Sequence, residues 1–346
     1  MRNFYSGKSI FITGAAGTIG KELIKNLIKL NPKKIVAIDN NETEIFFLLE
    51  KYKTNHNVYF FICDIRDKDK LKFLIKDCDF VFHGAALKHV ILGEYNSFDI
   101  VQTNLIGLQN VIEVSIESNV QKVLFMSSDK AVNPTNAMGA SKLMGEKLVT
   151  TSNNLQSFSK TVFCSTRFGN VLGSRGSVVP IFLSQLKNGL DLTVTDPNMT
   201  RFIMKKEDAV RLILESMKIS KGGETFILKM DSIKIIDLAY AMIEEFHELF
   251  GINMANVTFI GSKPGEKMFE ELLNEEEIQR TKELKDFFVI LPAFKSIYFD
   301  IDYNYNGIIN ENINIKLTSH MVNPLTKGQI KKNYIKHIKE NIDEYN

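Results

Sequence analysis

The first half of the chain alternates short apolar runs with segments whose apolar residues recur at helical spacing. Ser9–Thr13 is such a run. It breaks at a glycine-rich turn, residues 14–20, and residues 21–30 then carry leucine and isoleucine at helical spacing. The later apolar runs are residues 34–38, 58–62, 80–82 and 123–126. Runs of this kind are typical of buried parallel strands. The pattern predicts an α/β fold of the Rossmann type, with a doubly wound parallel sheet.

The glycine-rich turn before the first helix predicts a phosphate site. Gly14 permits the tight turn, Gly17 lets the main chain approach a diphosphate, and Gly20 lets the helix pack on the strand. The N-terminus of the helix then faces the phosphate charge. An ordinary strand-to-helix turn is the alternative. The cofactor contacts predicted in this segment are Gly14, Ala16, Gly17, Thr18 and Ile19.

Acidic residues follow two of the later runs. Asp39 ends the second run at the spacing expected of a carboxylate that binds the adenosine ribose, where it would repel the 2′-phosphate of NADP. NAD is therefore the predicted cofactor. Asp64 and Ile65 follow the third run, where they could contact adenine, and Ala85 and Ala86 follow the fourth. A solvated turn for Asp39, and strand-end packing for Asp64 and Ile65, are the alternatives.

Several motifs together resemble the extended short-chain dehydrogenase/reductases. They are residues 14–20, 64–65 and 84–86, Asn104, and the pair Met138 and Lys142. Three longer segments, residues 127–136, 167–177 and 263–267, resemble the bacterial UDP-N-acetylglucosamine 4,6-dehydratases of surface-glycan synthesis. The likeness runs from about residue 8 to about residue 290. Some members of that family carry tyrosine at the position of Met138, and some carry methionine.

The resemblance implies NAD-dependent dehydration of UDP-N-acetylglucosamine. In that reaction NAD takes a hydride from C4 of the sugar, water leaves across C5 and C6, and the hydride returns to C6. Lys142 would hold the nicotinamide ribose, and Met138 stands where other members use a tyrosine. A thioether cannot exchange a proton. The proton transfers must then fall to Ser128, Asp129 and Lys130, which follow the run 123–126.

Lys130 is the predicted base for C5, and Asp129 is the predicted acid for the C6 hydroxyl. The positive nicotinamide and Lys142 should lower the pKa of Lys130 toward working pH. The two lysines should also depress the pKa of Asp129, whereas a proton donor must be neutral, so desolvation by bound sugar has to outweigh them. Ser128 is predicted to hydrogen-bond the C4 oxygen. Which of the three takes the C4 proton stays open, and a surface ion pair at a polar strand end is the alternative.

A second group of polar residues suits a nucleoside diphosphate. Residues 174–177 precede a helix predicted from Val178, and Arg175 and Arg201 are candidate phosphate ligands. Glu266 could accept from ribose hydroxyls, and Asn170 could contact the sugar or its diphosphate. A helix cap or a surface ion pair is the alternative for each. The predicted substrate contacts are Lys88, Asn170, Arg175, Ser177, Val178, Thr195, Arg201 and Glu266.

The chain length of 346 residues, 44% of them hydrophobic, accommodates a cofactor domain and a smaller C-terminal substrate-binding domain. We assign residues 1–170 and about 203–232 to the NAD-binding domain. About 171–202 and 233–300 are assigned to the nucleotide-sugar-binding domain, and 301–346 to a C-terminal extension. Its asparagine-rich stretch, residues 303–314, is expected to be a surface elaboration before a helix over 326–345.

Charge and cysteine usage narrow the class of protein. The net charge of +2 is too small to indicate a nucleic-acid partner. Cys63, Cys78 and Cys164 show no metal-ligand spacing, so no metal is predicted and a reduced, cytoplasmic protein is expected. A signal-peptide pattern and an apolar run of about 18 residues are both lacking, so no membrane span is predicted. From the resemblance, helices after Asn104 and around Lys142 are expected to pair copies into a homodimer or a higher even homo-oligomer.

Two other functions stay open. A 4-epimerase of the same fold is the nearest alternative, although that reaction usually relies on the tyrosine that Met138 replaces. A catalytically silent NAD-binding protein would keep residues 14–39 without needing Asp129 beside Lys130. For enzymes that lack the tyrosine the resemblance favours retention of configuration at C5, but inversion stays open, as does the nucleotide base.

Overall fold

The computed structural model describes residues 1–153, 160–262, 264–294 and 301–342. These residues form two compact units. The described residues within Met1–Phe168, Lys206–Lys229 and Asn274–Ile315 make the first unit. The second unit consists of the described residues within Gly169–Lys205 and Met230–Leu273, together with residues 316–342.

The strands, in chain order, are β1 (Ser9–Thr13), β2 (Lys34–Asp39), β3 (Val58–Ile62), β4 (Phe80–His83), β5 (Lys122–Met126), β6 (Val162–Arg167), β7 (Asn170–Val171), β8 (Leu192–Val194), β9 (Thr200–Met204), β10 (Thr225–Leu228), β11 (Asp231–Lys234), β12 (Val257–Phe259), β13 (Thr281–Leu284), β14 (Phe287–Ile290) and β15 (Ile308–Asn310).

The α-helices are α1 (Arg2–Tyr5), α2 (Thr18–Ile28), α3 (Glu42–Lys51), α4 (Lys68–Ile75), α5 (Val90–Tyr95), α6 (Ser97–Ile100), α7 (Gly107–Glu117), α8 (Ala137–Ser152), α9 (Val178–Lys187), α10 (Lys206–Ile219), α11 (Ile235–Phe250), α12 (Glu275–Ile278), α13 (Lys327–Ile330) and α14 (Lys336–Glu340). Val101–Ile106 and Lys331–Ile335 are π-helical, and Asp129–Ala131 is a 3₁₀ turn.

A ten-stranded sheet forms the centre of the first unit, in the order β15-β13-β14-β10-β6-β5-β4-β1-β2-β3. The strands from β10 to β3 are parallel, and β14, β13 and β15 add an antiparallel edge. Strand β1 lies between β4 and β2. From β1 the chain therefore adds β2 and β3 on one side of the sheet, and then β4, β5 and β6 on the other. Doubly wound sheets bind their ligands at this change of direction. The predicted α/β doubly wound fold is confirmed.

Apolar side chains on the sheet and helices of the first unit form its core. All five residues of β1 are buried. The apolar residues Phe11, Val36, Val81, Val123 and Phe163 belong to one buried cluster with residues of the flanking helices. Removing this apolar surface from water stabilises the sheet, and it fixes the strand ends that carry the polar residues.

The second unit is smaller and contains a three-stranded sheet, β11-β9-β7, and a two-stranded sheet, β12-β8. Its core includes Phe182 on α9, Leu238 and Phe246 on α11, and Ile335 and Ile338 near the C-terminus. The C-terminal helical segment is thus part of this core.

The domain boundaries differ from those expected from the sequence. Strands β13 and β14 fall within residues assigned to the smaller domain, but they extend the sheet of the first unit by pairing with β10. The asparagine-rich stretch also packs: Tyr305 is buried and donates a hydrogen bond to Glu224, 2.8 Å away. The hydroxyl of the half-buried Tyr303 also donates to the main-chain carbonyl of Gly222 at 2.6 Å, so these tertiary contacts outweigh the local turn preference of asparagine and glycine.

The helical predictions are matched in part. Helix α9 starts at Val178, as expected, and residues 326–342 are largely helical. Residues 343–345 of the expected C-terminal helix lie outside the described residues. Asn104 lies in the π-helical turn between α6 and α7. Within the described part of the chain, no helix has both the length and the apolarity to cross a bilayer.

Candidate active site

The loops after β1 and β4 touch at the carboxyl edge of the sheet. Gly14 has a φ of +71°, and a Cβ there would lie 2.7 Å from the main-chain nitrogen of Ala85. Only glycine allows both the backbone conformation and the close approach. The hydroxyl of Thr13 accepts from the main-chain N–H groups of Gly84 and Ala85, each at 3.2 Å. The two loops therefore form one continuous surface.

His83, at the end of β4, is held beside this surface. Because the Thr13 hydroxyl accepts from two N–H groups, it donates to Nδ1 of His83, 2.8 Å away. Burial and, to a smaller extent, the charge of Lys142 together lower the pKa of His83 to about 3, so the imidazole is neutral. Its Nε2 has no hydrogen-bond partner among the described residues. A histidine closing an apolar run was the only sequence signal for this residue.

The glycine-rich turn fits a dinucleotide. One carboxylate oxygen of Asp39 accepts from the main-chain N–H of Ala16 at 3.0 Å, and the other accepts from Asn41 at 3.1 Å. Gly17 precedes α2, and no side chain caps the helix there. Thr18 begins α2 and Ile19 follows it. The open N-terminus of α2 suits a diphosphate, and Asp39, placed at the end of β2, suits a ribose.

Asp64 and Ile65 follow β3, and both have protein partners. The guanidinium of Arg66 donates to both oxygens of Asp64, with Nη2–Oδ2 at 2.6 Å and Nε–Oδ1 at 3.0 Å. These hydrogen bonds lower the pKa of Asp64. Ile65 is buried in the core of the first unit. Contact of either residue with adenine stays a prediction, as does contact of the half-buried Ala85 and Ala86 with the cofactor.

Strand β6 holds the loop that follows β5. The main-chain N–H of Ser127 donates to the carbonyl of Thr166 at 2.7 Å, and that of Asp129 donates to the carbonyl of Phe168 at 3.1 Å. Between and beyond these bonds the chain leaves the strand and makes the 3₁₀ turn Asp129–Ala131. The loop is therefore fixed by the sheet rather than by its own side chains alone.

Three predicted catalytic residues meet in this loop. Ser128 Oγ donates to Oδ1 of Asp129 at 2.9 Å, and Lys130 Nζ donates to the same oxygen at 3.0 Å. Asp129 is 0% exposed, and its Oδ2 has no hydrogen-bond partner among the described residues. A buried carboxylate oxygen without a donor is unfavourable. Oδ2 therefore lacks a donor that the described residues could supply.

Helix α8 brings Met138 and Lys142 to the same strand end. Asn136 caps the helix by accepting from the main-chain N–H of Gly139 at 2.8 Å. Met138 is buried, and Lys142 Nζ donates to the carbonyl of Met126, the last residue of β5, at 2.9 Å. Burial lowers the pKa of Lys142 to about 8, and the carboxylate of Glu146 opposes this shift. The ammonium of Lys142 therefore lies beside β5 and loses its proton more readily than that of an exposed lysine.

Asn104 connects the loop after β4 to α8. Its Oδ1 accepts from the main-chain N–H of Leu87 at 2.8 Å, and its Nδ2 donates to the carbonyl of Leu87 at 2.9 Å. The same Nδ2 donates to Ser141 Oγ at 2.9 Å. The amide of Asn104 is buried, and its oxygen and both of its N–H groups have protein partners. It therefore fixes the main chain around the site and has no donor left for a ligand.

Arg201 has main-chain partners in the second unit, and its predicted contact with phosphate stays a prediction. The buried guanidinium donates to the main-chain carbonyls of Thr200 at 2.8 Å, Lys267 at 2.8 Å and Met268 at 3.3 Å. It also lies 3.7 Å from Glu266. Arg201 thus ties the segment around Glu266 to β9, because its rigid fork of donors matches several carbonyls at once. Lys263, in the same sequence motif, lies outside the described residues.

Other predicted substrate residues of the second unit lie near α9. Asn170 Oδ1 and Ser177 Oγ are buried without hydrogen-bond partners among the described residues. Ser177 immediately precedes α9, and Arg175 is exposed. Val178 begins α9, and the half-buried Thr195 directly follows β8. Lys88, in the first unit, is exposed after β4. Their contact with substrate stays a prediction.

Comparison with known proteins identifies the family. The sequence profile of the family described as polysaccharide biosynthesis protein matches residues 10–292. The chain belongs to this family. An uncharacterized membrane protein of Methanocaldococcus jannaschii is 47% identical over 332 residues, covering 95% of this chain and 96% of the relative.

Further relatives and one solved structure are similar to most of the chain. A UDP-N-acetylglucosamine 4,6-dehydratase (inverting) of Campylobacter jejuni is 38% identical, covering 88% of this chain and 89% of that enzyme. The X-ray structure of Pen from Bacillus thuringiensis matches with a TM-score of 0.89 and 39% identity, covering 99% of this chain and 98% of that one. Other relatives are named UDP-glucose 4-epimerase. The resemblance to 4,6-dehydratases read from the motifs is therefore confirmed.

Proposed function

We propose that this protein is an NAD-dependent 4,6-dehydratase that converts UDP-N-acetylglucosamine to a UDP-4-keto-6-deoxy-N-acetylhexosamine for surface-glycan synthesis. The observation that carries the proposal is the pairing of Asp129 with both Ser128 and Lys130, beside the α8 residues Met138 and Lys142. An acid and a base next to each other are what a dehydration needs and a simple oxidation does not.

NAD, held by the glycine-rich turn, Asp39 and Lys142, would supply a reversible two-electron oxidation at the sugar. Asp39 and the N-terminus of α2 bind the adenosine and diphosphate parts, because they offer a carboxylate and open N–H groups. Lys142 lies on the strand end next to the catalytic loop and orients the nicotinamide ribose.

The first proton transfer uses the carboxylate of Asp129. In the resting arrangement its Oδ1 already accepts hydrogen bonds from Ser128 and Lys130. Ser128 takes the C4 hydroxyl proton as it passes its own proton to Asp129. The carboxyl is then neutral and can give this proton to the C6 hydroxyl as water leaves. This order removes the conflict between an ionised Asp129 and its role as an acid.

The second proton transfer belongs to Lys130. Its neutral amine takes the C5 proton as the C6 hydroxyl departs, and the resulting ammonium returns a proton to C5 in the last step. Asp129 is then again a carboxylate and Lys130 again an amine, so the protein ends each turnover as it began. Met138 takes no part, since a thioether has no proton to exchange.

Mass spectrometry tests this proposal directly. Incubating the purified protein with UDP-N-acetylglucosamine should give a product lighter by one water. A 4-epimerase would change the sugar without changing its mass, and a catalytically silent NAD-binding protein would leave the substrate unaltered. Chromatography of the released sugar separates those two outcomes, and either of them would refute the dehydratase.

The epimerase is the second candidate, because some relatives carry that name. Methionine at position 138 argues against an epimerase, since a thioether can neither take a proton from the sugar hydroxyl nor give one back. An epimerase also has no need for an acid–base pair at C5 and C6. The geometry of Asp129 and Lys130 therefore favours the dehydratase.

The configuration at C5 is a finer part of the proposal. The Campylobacter relative is named inverting, which favours inversion here and gives no support to the retention suggested by the missing tyrosine. The coupling constants of H5 in the NMR spectrum of the product distinguish the two configurations. Light scattering tests the further prediction of a homodimer or a higher even homo-oligomer.

A further inference from the structure

Arg167 closes β6 with its side chain 1% exposed in the first unit. Its guanidinium donates to both oxygens of Glu146 on α8, with Nε–Oε1 at 3.0 Å and Nη2–Oε2 at 2.5 Å. It also donates to both oxygens of Glu277 on α12, with Nη1–Oε2 at 3.0 Å and Nη2–Oε1 at 2.9 Å. We name these three residues the buried triad. Paired, two-point hydrogen bonds of this kind fix direction as well as distance.

The charges of the buried triad support one another. Burial alone would lower the pKa of Arg167, but the two carboxylates raise it above its ordinary value. Arg167 in turn lowers the pKa of Glu277 despite its burial. Buried ion clusters add little net stability over apolar residues of the same volume. Stability by itself therefore does not explain why three charged side chains lie here.

The buried triad connects α8 to the end of β6. Glu146 lies on α8 one turn beyond Lys142. The neighbours of Arg167 in β6 and after it are Thr166 and Phe168, whose carbonyls hold the loop that carries Asp129. One residue thus joins the helix that bears Lys142 to the strand end that supports the catalytic loop.

Glu277 anchors the other side of the buried triad. Its main-chain N–H donates to Asn274 Oδ1 at 2.8 Å, and its Oε2 accepts from the main-chain N–H of Asn274 at 3.0 Å. This reciprocal cap fixes the carboxylate before Arg167 binds it. The guanidinium is therefore held from α12 while it holds α8.

We propose that Arg167 is a positioning residue, which sets the distance between Lys142 on α8 and the Asp129–Lys130 loop by binding Glu146 and Glu277 together. The inference rests on the proposed function, because that function gives Lys142, Asp129 and Lys130 their tasks. Reacting groups tolerate little displacement, since a misplacement of about 1 Å can cost about a hundredfold in rate.

Arg167→Lys is the decisive variant, because it keeps the positive charge and removes the planar fork of donors. We expect kcat to fall about a hundredfold, with KM for UDP-N-acetylglucosamine unchanged. Calorimetry on NAD-depleted protein should show NAD binding about tenfold weaker, the usual size of a lost supporting contact.

Two controls separate positioning from general loss of stability. Val149→Ala removes buried apolar contacts on the same helix, so it should lower Tm but keep wild-type kcat and NAD affinity. Glu276→Gln changes an exposed neighbour of Glu277 on α12 and should alter none of these quantities. The proposal is overturned if Arg167→Lys keeps both wild-type values, or if Val149→Ala loses as much of both.

A second variant covers the case in which Arg167→Lys does not fold. Glu146→Gln keeps the shape of the side chain and leaves Arg167 and Glu277 as a charge-balanced pair. Lower kcat with weaker NAD binding supports the proposal, and wild-type values of both refute it. If the wild-type protein yields no dehydrated product, the proposed function fails, while the NAD affinities still test the buried triad.

Discussion

The catalytic loop of the first unit and the Arg201 region of the second unit both gather charged side chains, but they use them differently. Around Asp129, side chains bind one another, and one buried carboxylate oxygen has no partner among the described residues. Around Arg201, the guanidinium binds main-chain carbonyls of Thr200, Lys267 and Met268. Carbonyl oxygens do not titrate, so the hydrogen bonds that hold Arg201 take no part in proton exchange, although the guanidinium also lies 3.7 Å from a carboxylate oxygen of Glu266 and of Glu270.

This difference separates the proposed reacting site around Asp129 from the supporting contacts of Arg201. A group that must gain and lose a proton needs partners that can exchange protons with it, and the proposed mechanism gives this task to Ser128 and Lys130. A group that must stay in place is served better by fixed main-chain dipoles. The position of a charged residue in a motif therefore says less about its task than the chemistry of its partners.

The largest expected effect concerns the reacting site. Lys130→Ala should lower kcat by about 10²–10⁴-fold, the usual contribution of a positioned acid or base, and should abolish exchange of solvent deuterium into C5. NAD should remain bound, because Lys130 is not among the residues proposed to hold it. Lys53→Ala, which changes an exposed lysine, is the control. Retained exchange at C5 would exclude Lys130 as the base.

The two arginines of the second unit give the next largest effect. Arg175 is exposed, so Arg175→Ala should raise KM for the nucleotide sugar about tenfold or more, as loss of a hydrogen bond to a charged group does, and leave Tm unchanged. Arg201→Ala should instead lower the free energy of unfolding by about 3 kcal/mol, since buried carbonyls lose their donors. Thermal unfolding and steady-state kinetics measure both. If Arg175→Ala instead destabilised the fold and Arg201→Ala only raised KM, Arg175 would be the supporting residue and Arg201 the substrate ligand.

The buried charge of Lys142 should lower the free energy of unfolding. Its pKa is about 8 in the folded chain and 10.5 for the ordinary side chain, so the unfolded state binds more protons between those values. The free energy of unfolding contributed by this residue therefore rises with pH across that window, and below it the residue destabilises the fold by about 3 kcal/mol. Lys142→Met should stabilise the protein at pH 7 while it weakens NAD binding.

Urea unfolding at pH 7 and near pH 10, with reductant present, measures this difference between wild type and Lys142→Met. The stability gain should shrink toward zero at the higher pH, because the wild-type lysine is then neutral when folded. A stability gain of Lys142→Met that does not depend on pH would show that folding does not lower the pKa of Lys142.

The smallest effect is expected at position 138. Met138→Tyr should raise kcat by less than about tenfold, because Ser128 and Asp129 already provide the proton route. The buried site is also filled, so the larger ring should lower Tm. A rise of about a hundredfold would show that the proton route runs through this position instead.

Local patterns in the sequence were enough to predict strands β1 to β5 and the segments that carry the candidate site residues, but they did not indicate that β13 and β14 extend the same sheet. The apolar run before Ser128 gives a parallel strand, so its polar successors had to lie at the carboxyl edge. The glycine positions predicted the turn at Gly14 for a similar reason, since φ and close approach are properties of single residues.

The sequence by itself determined which residues stand at the ends of strands and which chemistry they can perform, because periodicity and residue type act over a few positions. Only the tertiary structure decided the partners. Arg167 meets Glu277, 110 positions away, and Arg201 meets Lys267, 66 positions away. Such pairs depend on strand order, register and packing, which bring distant segments to one place and leave no mark in the local pattern.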